Sequence, residues 1–405
     1  MKRSYFIRCL TALSACLVLG LSVGCKNDGG DSAGGTAANG SAAAGAGNEI
    51  LVGHFTCLTG ENSTFGQETD EGVRLAMDQI NAAGGVLDKQ IKVDTQDDQS
   101  KPDEAKTVVT NFASNPEIVA VIGEIASTRS KNAAPVMQKA GIPMITPSST
   151  NPEITEIGDY IFRVCFIDPF QGLVMAKFAR EDLKAQKVGI MRDPSSDYSV
   201  GLADVFAKEF QSMGGTIIAD LSFNSKDSDF RSQLSKMKDA DAIFVPGYYD
   251  HVGTIAQQAR ELGIKAPLLG GDGWDSPDLV KGAGGPGGAL EGSYFSNHYS
   301  KEDQSERVQK FIKEYGEKYN GKTPSGLAAL GYDAMMVLAD AIKRAGSTDR
   351  AAIRDAIAQT KDFPGVTGNI TIDENRNANK PAVVLQIEGD KFVYKKTIEP
   401  TSAGG

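Results

Sequence analysis

Cysteine is scarce in this sequence, with five in 405 residues. Cys9 and Cys16 lie in an apolar stretch at the N-terminus and Cys25 directly follows it, so Cys57 and Cys165 remain for a folded region. Two thiols are too few for a disulfide scaffold. The sequence does not exclude a disulfide bridge between Cys57 and Cys165, but we expect two buried thiols.

Histidine is scarcer still, and the signatures of common enzymes are missing. None of the three histidines stands in the Cys/His spacing typical of zinc sites. Residues 316–323, GEKYNGKT, fit the phosphate-loop pattern, but they follow an amphipathic helix instead of the buried strand that such a loop requires. The G-x-S-x-G pattern of a nucleophile elbow occurs only at residues 20–24 and 30–34, before the folded region, where no strand-to-helix turn is expected. The sequence does not exclude a Ser-His-Asp triad, because its members come together only in the fold. We therefore predict no metal, no cofactor and no enzymatic activity.

Positive charge is in deficit, with 42 Lys and Arg against 52 Asp and Glu and a net charge of −10. Binding to nucleic-acid phosphates needs a basic surface, so we predict no nucleic-acid partner. Beyond the N-terminal stretch, no segment is apolar enough to cross a membrane. The remaining ~350 residues are enough for two lobes with proper cores.

The N-terminus carries the features of an export signal. Three basic residues precede the apolar run Leu10–Val23, so we predict a signal peptide over residues 1–24. Residues 21–25, LSVGC, resemble a lipoprotein cleavage box with Cys25 as the lipidated residue, although Ser22 stands where leucine is usual. The alternatives are an ordinary secretory signal or a buried helix. Residues 25–48 are mostly small and polar, which predicts a flexible tether and a lipid-anchored protein outside the cytoplasm.

Strands and helices alternate along the rest of the chain, which predicts an α/β fold with two doubly wound lobes. The segment 119–155 is the clearest example. Val119–Ile122 is apolar without alternation, as in a strand buried on both faces. A helix should run from Ala126 to Ala140, and a second strand, Met144–Thr146, should follow. Hydroxyl groups follow both strands, at the sheet edge where such folds bind ligands.

Five motifs follow one another along the chain: INAAGGVLDKQIKV (80–93), DDQSKPDEA (97–105), GIPMITPSST (141–150), YIFRVCFIDPFQG (160–172) and GVTGNITIDENRN (365–377). In this order they resemble the branched-chain amino-acid binding proteins of bacterial ABC transporters, which have the type I periplasmic binding protein fold. The resemblance covers nearly all of residues 49–400.

The resemblance implies two Rossmann-like lobes joined by a three-strand hinge, with crossings near residues 167, 296 and 380. Lobe 1 would comprise 49–167 plus 297–380, and lobe 2 would comprise 168–296 plus 381–400. It further implies a monomer that captures an aliphatic amino acid between its lobes and delivers it to transporter permease subunits. A sensory receptor of the same fold, a receptor for another amino acid or an amide, and an enzyme acting on amides or nucleotides are the alternatives.

The resemblance also implies a set of ligand contacts. Ser127 and Thr150, with the backbone around Ser148 and Ser149, would hold the ligand carboxylate. Each of these hydroxyls is also well suited to capping a helix. Asp272 would pair with the ligand ammonium, since a buried carboxylate needs a cationic partner.

Aromatic residues would form the walls of the same site. Phe65, Tyr198 and Tyr248 match pocket positions of the family, and Asp168, at the first crossing, is a further candidate. Ala328 stands where some relatives carry a pocket phenylalanine, so either Trp274 refills that space or the pocket is larger.

Overall fold

The structure, a computed structural model, describes residues 48–400. The predicted signal peptide, the lipidation site at Cys25 and the tether up to residue 47 lie outside the described residues. Within residues 48–400, no helix is both long enough and apolar enough to span a membrane.

The first sheet has five parallel strands in the order β2-β1-β3-β4-β5. Its strands are β1 (Glu49–Thr56), β2 (Gln90–Asp97), β3 (Ile118–Ile122), β4 (Met144–Thr146) and β5 (Ile161–Arg163). The helices between them are α1 (Ser63–Ala82), α2 (Pro102–Ser114), α3 (Ser127–Ala140) and α4 (Glu153–Glu156). All five residues of β3 are buried, as expected for a central strand covered by helices on both faces. Gly141, with φ of 62°, ends α3 in the left-handed region that glycine adopts without strain.

The second sheet repeats this order with its parallel strands, β7-β6-β8-β9-β10. They are β6 (Lys187–Arg192), β7 (Thr216–Ser222), β8 (Ala242–Phe244), β9 (Leu268–Gly270) and β10 (Tyr294–Asn297). The helices are α5 (Asp168–Lys177, extended by a π turn over Phe178–Asp182), α6 (Asp197–Ser212), α7 (Arg231–Leu234), α8 (Tyr249–Glu261) and α9 (Pro277–Gly282).

The chain then returns to the first sheet. It forms α10 (Glu306–Lys318), α11 (Gly326–Ala345), α12 (Arg350–Ala358) and a small antiparallel sheet of β11 (Phe363–Gly365), β12 (Gly368–Ile372) and β13 (Ala378–Asn379). The long helices α1 and α11 pack against each other at unusually close range. A Cβ on Gly72 would lie 2.0 Å from the carbonyl oxygen of Ala328, and one on Gly331 would lie 2.4 Å from that of Thr69. Glycine is therefore required at this contact.

Two last strands complete the second sheet: β14 (Ala382–Glu388) and β15 (Lys391–Ile398) pair antiparallel, and β14 pairs antiparallel with β10. The chain thus passes between the two sheets at residues 164–167, 298–305 and 380–381. We use "lobe 1" and "lobe 2" for the residues around the first and second sheet, with the boundaries predicted above.

The predicted fold class is confirmed, and most of the predicted elements lie within a few residues of the observed ones. Residues 231–237, where the sequence pattern predicts a single helix over Phe230–Lys238, form the short α7 and a 3₁₀ turn over Ser235–Met237. The Ser235 hydroxyl donates to the carbonyl oxygen of Arg231 at 2.6 Å, a side-chain bond that bends helices. The sequence analysis also missed α12 and the β11–β13 sheet, whose strands are only two to five residues long.

Candidate functional site

A small cavity lies where the carboxyl edges of the two parallel sheets face each other. The strand order of each sheet reverses there, between β1 and β3 in lobe 1 and between β6 and β8 in lobe 2. Open α/β sheets bind their ligands at such switch points. The lining residues are Phe65, Ile125, Ser127, Ser148, Thr150, Tyr198, Tyr248, Asp272, Gly273 and Leu327.

One wall of the cavity offers hydrogen-bond donors. Ser127 is the first residue of α3, where backbone N–H groups have no partner within the helix. Its hydroxyl oxygen accepts from the N–H of Asn151 at 3.2 Å, which leaves the hydroxyl hydrogen for another acceptor. Thr150 is buried, and its hydroxyl has no partner among the described residues. Hydroxyls beside a helix N-terminus can bind a carboxylate.

The other two predicted serines have different tasks. The Ser148 hydroxyl lines the cavity but donates to the carbonyl oxygen of Ile125 at 3.0 Å. The Ser149 hydroxyl points away, bonded to the carbonyl oxygen of Glu124 at 2.9 Å and to the Ser130 hydroxyl at 2.7 Å. The structure therefore does not place Ser149 in the cavity lining, because its hydroxyl is already used to fix the loop.

A buried ion pair shapes the turn before α3. The Arg129 guanidinium lies 2.9 Å from the Glu124 carboxylate, which also accepts from the N–H of Ala126 at 2.6 Å. Burial raises the pKa of nearby Asp98 to about 9, and the charge of Glu124 adds to this shift. The Arg129–Glu124 pair holds the turn that presents Ile125 and Ser127 to the cavity. Sequence reasoning missed it, since no local pattern links these residues to Asp98.

The opposite wall is acidic. Asp272 is 6% exposed, and its Oδ2 accepts a hydrogen bond from Nε2 of His298 at 2.9 Å. Its Oδ1 has no partner within residues 48–400. Burial lowers the pKa of His298, so the imidazole is neutral near pH 7 and carries its proton on Nε2. The backbone N–H of Asp272 donates to the Gln171 side chain at 2.7 Å, which fixes the turn.

Asp168 is a second carboxyl group in this region, although it lies behind the lining. It is fully buried, its Oδ1 accepts from Gln171 at 3.3 Å, and no group in the described chain bonds its Oδ2. Burial raises the pKa of Asp168 to about 8, and the charge of Asp272 contributes. Two buried carboxyl groups with free oxygens are costly unless a cation joins them.

Apolar and aromatic side chains close the remaining sides. Tyr198 and Tyr248 stack with ring centroids 5.2 Å apart, and Phe65 reaches across from lobe 1 to meet Tyr248 edge-on at 6.3 Å. Ile125 and Leu327 line the cavity as well, and the sequence analysis named neither. Leu327 follows the N-cap Ser325 of α11 and could have been found from its place at that helix start.

Trp274 does not line the cavity. It is completely buried within lobe 2, where its indole N–H donates to the carbonyl oxygen of Val245 at 3.0 Å. Its ring fills the space above Gly270, where a Cβ would lie 2.0 Å from the indole. It therefore does not refill the space beside Ala328.

The two lobes touch around the cavity, so the structure is in a closed form. Asp197 of lobe 2 makes an ion pair with Lys131 at 2.8 Å, and its backbone bonds the side chains of Thr128 and Asn151. Thr64 donates to Asp278 across the interface at 2.7 Å.

The described residues also bear on the cysteines and on metals. Cys57 and Cys165 are both free and buried, so the expectation of two buried thiols is confirmed. Within residues 48–400 there is no group of three or more His, Cys, Asp or Glu side chains that could hold a metal ion.

Known proteins resemble the chain over most of its length. A family profile described as "Periplasmic binding protein" matches residues 49–391. The leucine-binding protein LivK of Thermotoga maritima has 39% identity and a TM-score of 0.82, over 87% of this chain and 99% of that chain. LivJ of Streptococcus pneumoniae has 37% identity and a TM-score of 0.82, over 87% of this chain and 100% of that chain. It is a branched-chain amino acid transporter substrate-binding protein and was solved in complex with isoleucine. A leucine-, isoleucine-, valine-, threonine- and alanine-binding protein of Pseudomonas aeruginosa is 31% identical over 321 residues, 78% of this chain and 84% of that protein.

Proposed function

Because the chain belongs to the periplasmic binding protein family, we propose that it captures a free aliphatic amino acid, with leucine, isoleucine or valine first, and delivers it to an ABC transporter. The ligand would lie between the two lobes and leave chemically unchanged. Relatives named for Leu/Ile/Val binding support this choice.

The observation that carries the proposal is the polarity of the cavity. Ser127, the start of α3 and the unpartnered Thr150 hydroxyl lie on one side, and the free oxygen of Asp272 lies on the other. An amino acid has a carboxylate and an ammonium group on one carbon, and these walls complement both. Phe65, Ile125 and Leu327 provide an apolar surface for the side chain.

Calorimetric titration with leucine and two analogues tests this proposal. Leucine should bind, and both its amide and its decarboxylated amine, 3-methylbutylamine, should bind far more weakly. The amine keeps the apolar body and the positive charge, so it isolates the contribution of the carboxylate site. Equal affinity for leucine and 3-methylbutylamine would contradict the assignment.

We further propose that the protein works as a lipid-anchored monomer outside the cytoplasm, with Cys25 as the anchor and transporter permease subunits as partners. The export signal in the sequence and the transport role named for its relatives support this location. Closure of the lobes around the ligand, as in the form described here, would be the state presented to the transporter.

A further inference from the structure

A second and larger cavity, of about 130 Å³, lies between the lobes beside the amino-acid cavity and shares no lining residue with it. Glu68 and Ser325 contribute from lobe 1, and Asp275, Pro277 and Phe392 contribute from lobe 2. Glu68 stands one helical turn after Phe65 on α1, so the same helix serves both cavities.

Two carboxyl groups face this second cavity from opposite lobes, that of Glu68 partly buried and that of Asp275 buried. The Oε2 atom of Glu68 is shielded from solvent and has no hydrogen-bond partner among residues 48–400. Asp275 is 4% exposed, and its Oδ2 accepts from Nδ2 of Asn297 at 2.8 Å and from the N–H of Gly326 at 2.5 Å. Gly326 begins α11, so this last bond joins lobe 2 to a helix of lobe 1.

The charges around Glu68 do not compensate for the burial of its carboxyl group. Burial, with the charges of Asp275 and Glu71, raises the pKa of Glu68 to about 8, although a hydrogen bond from the Ser325 side chain and the charge of Lys322 lower it. Lys322 is a nearby cation, but it pairs with Glu71, which also accepts from the Tyr315 hydroxyl. Lys301, also of lobe 1, is the one cation among the lining residues, and its charge opposes the rise that burial causes in the pKa of Asp275. It stands against the three carboxyl groups of Glu68, Asp275 and Asp390. The lining is therefore net acidic and has an unfilled acceptor.

We propose that this cavity is a second binding site, for a primary amine with an apolar body. The ammonium would bond Glu68 and Asp275, and the body would lie against Pro277, Leu385 and Phe392. An organic amine fits better than a metal ion because only two carboxyl groups converge, and because the volume far exceeds that of a bare ion.

A ligand held by Glu68 of lobe 1 and Asp275 of lobe 2 would bind the closed form and not an open one. It would therefore favour closure, and by reciprocity it would tighten binding at the amino-acid cavity. Its own affinity should rise from pH 6 to pH 8 as Glu68 gives up its proton, and fall above about pH 10 as the amine becomes neutral.

The probe for this site is 2-phenylethylamine, with 2-phenylethanol as the uncharged match. The amine should raise the melting temperature of the ligand-free protein, and at saturation it should tighten leucine binding by about fivefold or more. Glu68→Gln keeps the shape of the side chain and should abolish both effects while leaving leucine affinity without the probe within about threefold. Glu117→Gln, on the exposed surface of lobe 1, is the control and should change nothing.

Three outcomes would overturn the proposal: competition between the amine and leucine, an effect that survives in Glu68→Gln, or no effect of the amine on melting. Should Glu68→Gln fold poorly, Glu68→Asp, which shortens the reach by one methylene, should weaken the amine effect. The melting measurement contains no leucine. A protein that does not bind leucine would therefore refute the proposed function and leave the amine site to be judged by itself.

Discussion

Asp272 owes its position to contacts on both sides of its short turn. Gln171 accepts from its backbone N–H, and His298 donates to one carboxylate oxygen, so the other oxygen is presented to the cavity. A charge held in this way contributes to affinity only when a ligand cation meets it.

Substitution of Asp272 should therefore affect binding much more than folding. Hydrogen bonds to charged groups contribute about 1.5–3 kcal/mol, so Asp272→Ala should weaken leucine binding by roughly 10- to 150-fold. The leucine affinity of Asp272→Asn, which retains an acceptor, should lie between those of the unsubstituted protein and Asp272→Ala. Calorimetric titration measures this, with Asp239→Asn on the surface of lobe 2 as control. Unchanged affinity in Asp272→Ala would place the ammonium elsewhere, with Asp168 as the next residue to test.

Asp168 should make stability depend on pH. Its pKa is about 8 in the folded protein and about 3.9 in an unfolded chain, so the folded state holds the proton more tightly. The contribution of this group to stability is therefore greatest below pH 4 and is lost as the pH rises to 8. Asp168→Asn cannot ionise, so it should raise the melting temperature of the ligand-free protein at pH 8.5 and change it little at pH 4.5. Equal shifts at both pH values would contradict this account.

Among the elements, the packing of α1 on α11 matters most for the site. Phe65 near the start of α1 and Leu327 near the start of α11 both line the cavity, and Gly72 lets the helices approach. The distance between the helices therefore sets the distance between two walls of the site.

A methyl group at this contact should separate the helices. Gly72→Ala places a Cβ 2.0 Å from the carbonyl oxygen of Ala328, and overpacking of this kind costs typically about 1–3 kcal/mol. Leucine affinity should fall as well. Gly316→Ala, in the last turn of α10 with the nearest atom at 3.5 Å, is the matched control and should stabilise by less than about 1 kcal/mol. Denaturant unfolding compares them, and similar effects of the two substitutions would argue against the close contact.

The contact of α3 with α6 should influence how long the ligand stays bound. The Lys131–Asp197 ion pair joins the lobes but is partly exposed, and such pairs are worth about 0.2–1 kcal/mol. Lys131→Met should therefore speed leucine release by at most about fivefold, and by less in high salt. Stopped-flow fluorescence measures the rate, with Lys139→Met on the same helix as control. A rate that does not change would show that the pair adds nothing to closure.

The sequence predicted the helices and strands better than it predicted the side-chain contacts between them. Ser127 and Thr150 follow neighbouring parallel strands, so their proximity could be inferred from chain order alone. The bond from His298 to Asp272 joins a crossing segment to a strand end, and no local pattern encodes it. Trp274 was misplaced because a 3₁₀ turn, with three residues per turn, directs it away from Asp272, two residues earlier.

At the scale of the whole molecule, the described residues and the N-terminus have separate tasks. The cavity and the lobes are formed by residues 48–400, whereas the proposed attachment to a membrane would depend on Cys25. Cys25→Ser should therefore release the protein from membranes without changing leucine affinity. Cell fractionation tests the release from membranes, and titration of the released protein tests the leucine affinity. A variant that still sediments with membranes would refute the lipid anchor.

The route of the chain between the two sheets has a consequence for biosynthesis. Residues 164–167 lead out of lobe 1 before α11 has been made, and lobe 2 lacks β14 and β15 until about residue 398 has been added. Neither lobe can be completed by a chain growing from its N-terminus until nearly all of it exists. The nascent chain therefore stays incompletely folded during translation, and an incompletely folded chain can still pass through a narrow pore.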